Sequence, residues 1–365
     1  MTPLSLLHVN TERGWRGGEA QTLLLARGLE ERGHRCRLAV APGSPLERRA
    51  RQEGFESAPL AARGELDPAA IAALARILRR FRPDLVHYHT SHAVTLGTLA
   101  SFLAGRRAAV ATRRVSFPLS RNPLARIKYT FRLDRVIAVS EGIRETLAAA
   151  GVPKERIRVI HSAADLRRFD PPRDRAACRR ELGYAEDAFL VGCAGHLAEH
   201  KGHRILVEAA GRLSDSPKMQ FLLVGKGEEE AELRKQIAAL GLDGKFRLAG
   251  FREDLESILP ALDLLAFPSL SGEGSPAVLK EAMACGLPVV ASAISGVGEV
   301  VRQGSEGLLV PPGDPAALAQ AILFFASDRR QGLEFGGRGR ERSREFRPER
   351  MVEMTEKVYR EVLPA

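Results

Sequence analysis

Aromatic side chains are scarce in this chain. They make up 5% of 365 residues, with one tryptophan and four tyrosines. Together with the lack of any known nucleic-acid motif, this argues against RNA or DNA as a partner. Cysteine is nearly as rare. Cys36, Cys178, Cys193 and Cys285 lie far apart and form no CxxC pair, which predicts buried, reduced thiols in a cytosolic protein and excludes a disulfide framework. No apolar run approaches the ~18 residues of a membrane helix. Leu4 to Val9 is short, and no basic segment precedes it, so no secretory leader is expected. Low-complexity tracts and internal repeats are also missing.

What remains is the composition of a soluble globular protein, 44% hydrophobic and 27% charged, long enough for two domains with a core each. The net charge of +10 is unevenly spread. Residues 1–170 hold 29 Lys+Arg against 16 Asp+Glu, and the rest hold 26 against 29. A basic first half suggests an anionic partner.

Short apolar runs alternate with amphipathic segments throughout. Strands are expected at Leu4–Val9, Arg35–Ala41, Asp84–Tyr88, Ala108–Thr112, Arg135–Val139 and Arg156–Ile160. The second set is Phe189–Ala194, Gln220–Val224, Phe246–Ala249, Leu264–Phe267, Pro288–Ala291 and Gly307–Val310. Helical periodicity between them predicts an α/β protein: two Rossmann-like, doubly wound domains with parallel sheets. The pattern restarts after Pro171-Pro172. The expected domains are therefore 1–170 and 171–346. A final helix over 347–365 is expected to return to the first domain. Ligands of such sheets bind beyond the carboxyl ends of the strands, and two domains facing each other would form a cleft.

Three segments can carry chemistry. Gly14-Trp15-Arg16-Gly17-Gly18-Glu19 joins the first strand to its helix, and glycines there let backbone amides approach an anion. Gly195-His196-Leu197-Ala198-Glu199-His200-Lys201-Gly202 follows a strand and places a lysine where it can neutralise a leaving diphosphate. Glu273-Gly274-Ser275-Pro276 opens the helix that carries Glu281. Its free amides suit phosphate, and the two carboxylates suit sugar or ribose hydroxyls. Each segment also has a plainer reading, respectively a tight turn, a solvated lysine and a chance spacing of acids.

Taken together, these segments resemble the retaining family-4 glycosyltransferases of the GT-B fold. The match also takes in Leu223-Val224-Gly225-Lys226-Gly227, Pro268-Ser269, the block from Glu281 to Ala291 (EAMACGLPVVA) and Leu309 to Asp314. The resemblance implies a nucleotide-sugar donor in the second domain. Lys201 would contact its diphosphate, Glu281 the ribose, and Glu273 the transferred sugar beside the amides of Gly274 and Ser275, ahead of Pro276. Gly195, Gly202, Gly225, Gly227 and Phe251 would line the nucleotide pocket. Gly17 and Gly18 would close over the diphosphate, and His89 would face the donor sugar. Two residues depart from the family pattern. His196 stands where many members have an arginine, and Glu-Gly-Ser-Pro replaces the common Glu-Gly-Phe-Gly, which alters the wall of the sugar pocket. Cationic side chains and helix-end amides can stabilise the leaving group unaided, so no metal and no cofactor is expected beyond the co-substrate, a UDP-, GDP- or ADP-sugar.

Other readings compete. The histidine groups His87/His89/His92 and His196/His200/His203 suggest metal, but no carboxylate or thiol lies close in sequence to complete either set. A nucleotide-sugar epimerase, a sugar phosphorylase or a non-catalytic glycan- or lipid-binding module could share the fold. The Lys201, Glu273 and Glu281 set favours transfer over the last of these. Finally, residues 106–135 hold nine basic residues and one acid, interleaved with apolar ones. Arg113, Arg114, Arg121, Arg126 and Lys128 are read as a patch for an acidic acceptor or an anionic membrane. The implied acceptor is a glycan or lipid-linked molecule of the cell envelope, such as a lipopolysaccharide core. The implied location is the cytoplasm, peripheral to the inner face of its membrane.

Overall fold

The computed structural model describes residues 2–117, 119, 123–169 and 171–363. Contacts divide the chain into two compact units, Met1–Ala163 with Pro348–Ala365, and Ala164–Arg347.

In the first unit, β1 (Ser5–Asn10), β2 (Arg35–Val40), β3 (Glu56–Pro59), β4 (Leu85–Tyr88), β5 (Ala108–Arg113), β6 (Arg135–Ala138) and β7 (Ile157–Val159) form one parallel sheet in the order β3-β2-β1-β4-β5-β6-β7. β1, β2 and β4 are almost wholly buried, as expected of strands covered on both faces by helices. Those helices are α1 (Gly17–Glu31), α2 (Pro45–Gln52), α3 (Pro68–Phe81), α4 (Ser91–Ala104), α5 (Pro123–Thr130) and α6 (Glu141–Ala149). Their starts follow local chemistry. Ser44 and Asp67 cap α2 and α3 ahead of Pro45 and Pro68, and Thr90 and Ser140 cap α4 and α6. Sequence periodicity missed β3, an edge strand with one buried residue. It also missed α4, whose apolar and small residues form no clear stripe.

The second unit has α7 (Arg175–Leu182) as its first α-helix. Its sheet contains β8 (Phe189–Ala194), β9 (Met219–Val224), β10 (Phe246–Leu248), β11 (Leu264–Phe267), β12 (Val289–Ser292) and β13 (Gly307–Val310), all parallel, in the order β10-β9-β8-β11-β12-β13. Around it lie α8 (His203–Gly211), α9 (Glu230–Ala239), α10 (Leu255–Ile258), α11 (Ala277–Ala284), α12 (Pro315–Ser327) and α13 (Arg329–Ser343). Separate apolar cores fill the two faces of the sheet.

The last helix, α14 (Pro348–Val362), belongs to the first unit and packs on α1. Gly28 permits this approach, because a Cβ there would run into the side chain of Val352. Arg32 donates to Glu356 at 2.6 Å and fastens the contact. All four cysteines are free and buried. Among the described residues, no helix is long and apolar enough to cross a membrane.

Candidate active site

In each sheet the strand order reverses beside the unit's first strand, between β1 and β4 in the first unit and between β8 and β11 in the second. At such a reversal the loops leave in opposite directions and open a crevice beyond the carboxyl ends of the strands.

In the second unit, Lys201 follows β8 and Glu273 follows β11, so the reversal brings them together. Lys201 Nζ donates to Glu273 Oε1 at 2.6 Å, across 72 positions of sequence. Ser269 Oγ donates to the same oxygen at 2.7 Å. The lysine side chain is 24% exposed and the glutamate 9%, so the pair sits at the rim of the crevice. Backbone packing dictates the glycines around it. Gly202 has φ +66° and Gly225 has φ +150°, and a Cβ on either would strike a carbonyl oxygen, of Pro268 or Gly195 respectively. Gly195 donates its amide to Val224 at 2.9 Å and Gly225 to Gly250 at 2.8 Å, and Leu270 donates to the His200 carbonyl at 2.7 Å. These bonds tie the loops after β8, β9, β10 and β11 into one rim. Gly227 is closed in the same way against Leu197, and Phe251 stands half exposed with Lys226 Nζ 5.4 Å above its ring.

The Glu273-Gly274-Ser275-Pro276 loop is held by a residue that the sequence reading did not single out. Lys280 is fully buried and donates to Ser275 Oγ at 2.6 Å and to Ser275 O at 3.2 Å. Burial pulls its ammonium down to about 7, against the pull of Glu281 and Glu299. Its neighbour Glu281, on α11, is pushed up to about 7, chiefly by burial. The signal for Lys280 was its position beside Glu281 on a helix whose other inward residues are apolar.

His196, the departure from the family pattern, is paired with Glu228 at 3.0 Å. His203 is buried and held down to about 4 by burial and by Lys201. His196, His200 and His203 do not assemble into a metal set among the described residues.

The first unit gathers Gly17 and Gly18 after β1, His89 after β4 and Arg114 after β5. The grouping His87/His89/His92 is corrected here. His92 is exposed and faces Glu65 at 3.7 Å, whereas His8, the register partner of His87 in the parallel pairing, joins His87 and His89. Their ring nitrogens lie within 4.8 Å of one another. Most of these nitrogens are already engaged. His87 contacts Tyr359 Oη at 2.6 Å and Thr112 Oγ1 at 2.7 Å, and His8 Nδ1 lies 2.9 Å from His89 Nε2. Burial holds all three imidazoles well below their ordinary range, His8 at about 3.

The basic patch needs the larger correction. Arg113 is 8% exposed and donates to Tyr129 Oη at 3.2 Å and Phe117 O at 2.5 Å. Arg114 turns inward to His89. Lys128 is committed to Glu65 at 2.6 Å, and Arg121 lies outside the described residues. Of the five, Arg126 is exposed. Charge counting cannot tell that the end of β5 directs its arginines into the protein.

A lysine–glutamate pair and glycine-shaped loops at the reversal of a doubly wound sheet offer a cation, a carboxylate and backbone amides in one crevice. Comparison with known proteins gives the class. The family described as "Glycosyltransferase Family 4" matches residues 15–168, and "Glycosyl transferases group 1" matches residues 188–328. The 2-deoxystreptamine N-acetyl-D-glucosaminyltransferase of Streptomyces fradiae is 32% identical over 86% of this chain and 83% of its own. The lipopolysaccharide core biosynthesis glycosyltransferase LpsE of Rhizobium meliloti is 33% identical over 59% of this chain and 61% of its own. The crystal structure of Anabaena HepE with UDP-glucose superposes with a TM-score of 0.89, at 26% identity, over 98% of this chain and 100% of that one. The chain belongs to the family-4 glycosyltransferases of the GT-B fold, and it is a glycosyltransferase.

Proposed function

We propose that the enzyme takes its sugar from a nucleotide-sugar held by the second unit and passes it to a glycan or lipid-linked acceptor. The observation that carries this reading is the Lys201–Glu273 pair at the strand reversal. Without ligand the two neutralise each other. A donor diphosphate draws Lys201 away and frees Glu273 to accept from sugar hydroxyls, while Ser269 keeps the carboxylate in place. Glu281 takes the ribose, and the Phe251 ring and the glycine-lined rim take the base. Lys201 and the α11 amides balance the departing charge, a reading that calls for no metal and fits transfer with retention. UDP-sugars are the first choice of donor, because the similar HepE is described in complex with UDP and UDP-glucose. GDP- and ADP-sugars are the other arms of the test.

The acceptor reading rests on charge and on a surface of the first unit different from the one expected. Phe102, Leu103, Ile127 and Phe131 are about half exposed. Arg132 lies 3.9 Å above the Phe102 ring. Beside them is a cavity of about 470 Å³ whose lining includes Arg106, Arg135 and Arg156. Apolar side chains set among arginines suit an anionic lipid surface, and hence a lipid-linked acceptor. LpsE, similar over part of the chain, acts in lipopolysaccharide core biosynthesis.

The test is a thermal-shift screen against UDP-, GDP- and ADP-sugars, repeated with Glu281→Ala. At 100 Kd the cognate donor stabilises the wild type by about 2.7 kcal/mol and the variant much less. No shift with any of the nucleotide sugars would overturn the reading. Nucleotide release that requires an acceptor separates transfer from epimerisation.

A further inference from the structure

The side chain of Arg114 has no part in the donor grip described above, yet both of its terminal nitrogens are spent on one residue. One Nη donates to the His89 carbonyl at 3.1 Å, and the other meets His89 Nδ1 at 3.0 Å. A guanidinium only donates, so Nδ1 must supply its lone pair and the imidazole proton must sit on Nε2. That nitrogen lies 2.9 Å from His8 Nδ1, which therefore accepts. The proton of His8 is then on its own Nε2, a buried atom with no hydrogen-bond partner. The chain Arg114 → His89 → His8 thus has one direction.

We infer that Arg114 is a positioning residue that locks His89 as a neutral imidazole with its proton on Nε2, so that His89 shapes the site without serving as the proton acceptor of the transfer. This rests on the reading that His89 belongs to the reaction site, and it specifies the role of His89 there. A second proton on His89 would have to enter at Nδ1, against a guanidinium. The charged and titratable groups around the ring all oppose it or are too remote to help. His8 on β1 and His87 on β4 are buried, and Arg114 is cationic. Glu19 on α1 and Tyr359 on α14 act on Arg114. Burial lowers Arg114 itself to about 10, which leaves it charged at neutral pH.

The experiment is long-range proton–nitrogen correlation spectroscopy on the full chain with ¹⁵N-labelled histidine, the His89 signals being assigned with His89→Gln. In the wild type, His89 should show a protonated Nε2, a lone pair on Nδ1 and no titration between about pH 5 and about pH 8. Arg114→Met should release Nδ1 and mix the tautomers, and it should raise the His89 midpoint only in part, because burial and His87 still hold the ring below its ordinary range. Arg114→Lys keeps the charge with a single donor and should restore the Nε2-protonated tautomer in part, which also serves if the methionine variant folds poorly. With a competent donor, Arg114→Met should lower kcat with KM little changed, and Arg114→Met should add nothing to His89→Gln. A wild-type His89 that titrates in this range, a proton on Nδ1, or an unchanged tautomer in Arg114→Met would overturn the inference. The spectra need no substrate, so a wrong donor assignment, seen as no turnover on any nucleotide sugar, stays distinct from a wrong role for Arg114.

Discussion

The two units share one architecture and fill its crevice differently. At the reversal in the second unit stand ions, Lys201 with Glu273, partly solvated. At the reversal in the first unit stand neutral, buried imidazoles steadied by one arginine. A partly exposed ion pair contributes little to stability and can exchange partners readily. A buried hydrogen-bond network is costly to open and keeps its geometry. On the proposed function, the second unit trades contacts with a ligand and the first holds a fixed surface.

The largest expected effect tests the trading half. Lys201→Ala should lower kcat by about 10²–10³, the loss typical of one preorganised donor to developing charge. Stability should suffer less than activity, because the lysine is partly solvated and Ser269 still donates to the glutamate that it leaves behind. A large loss of stability with activity intact would reverse the comparison. Glu281→Ala comes next. Hydrogen bonds to a charged group contribute about 1.5–3 kcal/mol, so donor affinity should fall roughly 10- to 100-fold, measured by calorimetric titration. The wild type should also show a pH dependence. Glu281 is raised to about 7, so its carboxylate, the better acceptor for ribose hydroxyls, gains population as pH rises from about 6 to about 8, and the donor should bind up to roughly tenfold tighter. Glu281→Gln should flatten that curve. Folding stability runs the other way for this group. With its folded value raised, the stabilisation it contributes is complete below the unfolded value of 4.5 and is lost as pH climbs through about 7. Lys280, depressed from 10.5 to about 7, opposes it, since its contribution is complete above 10.5 and is lost as pH falls through about 7.

The fixed half is probed by His87→Phe. The substitution leaves the Tyr359 and Thr112 hydroxyls without their buried partner, at about 1–3 kcal/mol of stability, read from denaturant unfolding. Donor binding to the second unit should be unchanged. A variant as stable as the wild type would mean that the histidine network is not what steadies this unit.

The same contrast decided what could be read beforehand. The alternation of strand and helix, the loop around Lys201 and the stretch from Glu273 to Glu281 are each local, and the glycines at 202 and 225 are dictated by backbone collisions that leave a mark in sequence. The histidine network is not local. His8 and His87 meet only because β1 and β4 pair in parallel, and Arg114 reaches His89 only because β5 lies next to β4. Nothing in the order of residues 106–135 distinguishes Arg113 and Arg114, which turn inward, from Arg126, which faces solvent. Lys280 was overlooked because a lysine on a helix is ordinarily solvated, and its partner, Ser275, lies in the loop that precedes the helix.

The smallest expected effect concerns the outer surface of the first unit. If the exposed Phe102, Ile127 and Phe131 and the arginines around them meet an anionic membrane, the apolar and basic parts should separate in vesicle sedimentation. Arg126→Ser should weaken binding to anionic vesicles by about 1 kcal/mol, roughly fivefold, and leave binding to neutral vesicles as it was. Phe102→Ser should weaken both, because the hydrocarbon contact it removes does not depend on headgroup charge. Raising the salt concentration should mimic Arg126→Ser and leave the Phe102→Ser deficit in place. Equal binding of the wild type to neutral and anionic vesicles would remove the electrostatic half of the reading, and the uneven charge of the chain would then have to be explained by an acidic acceptor rather than by the membrane that carries it.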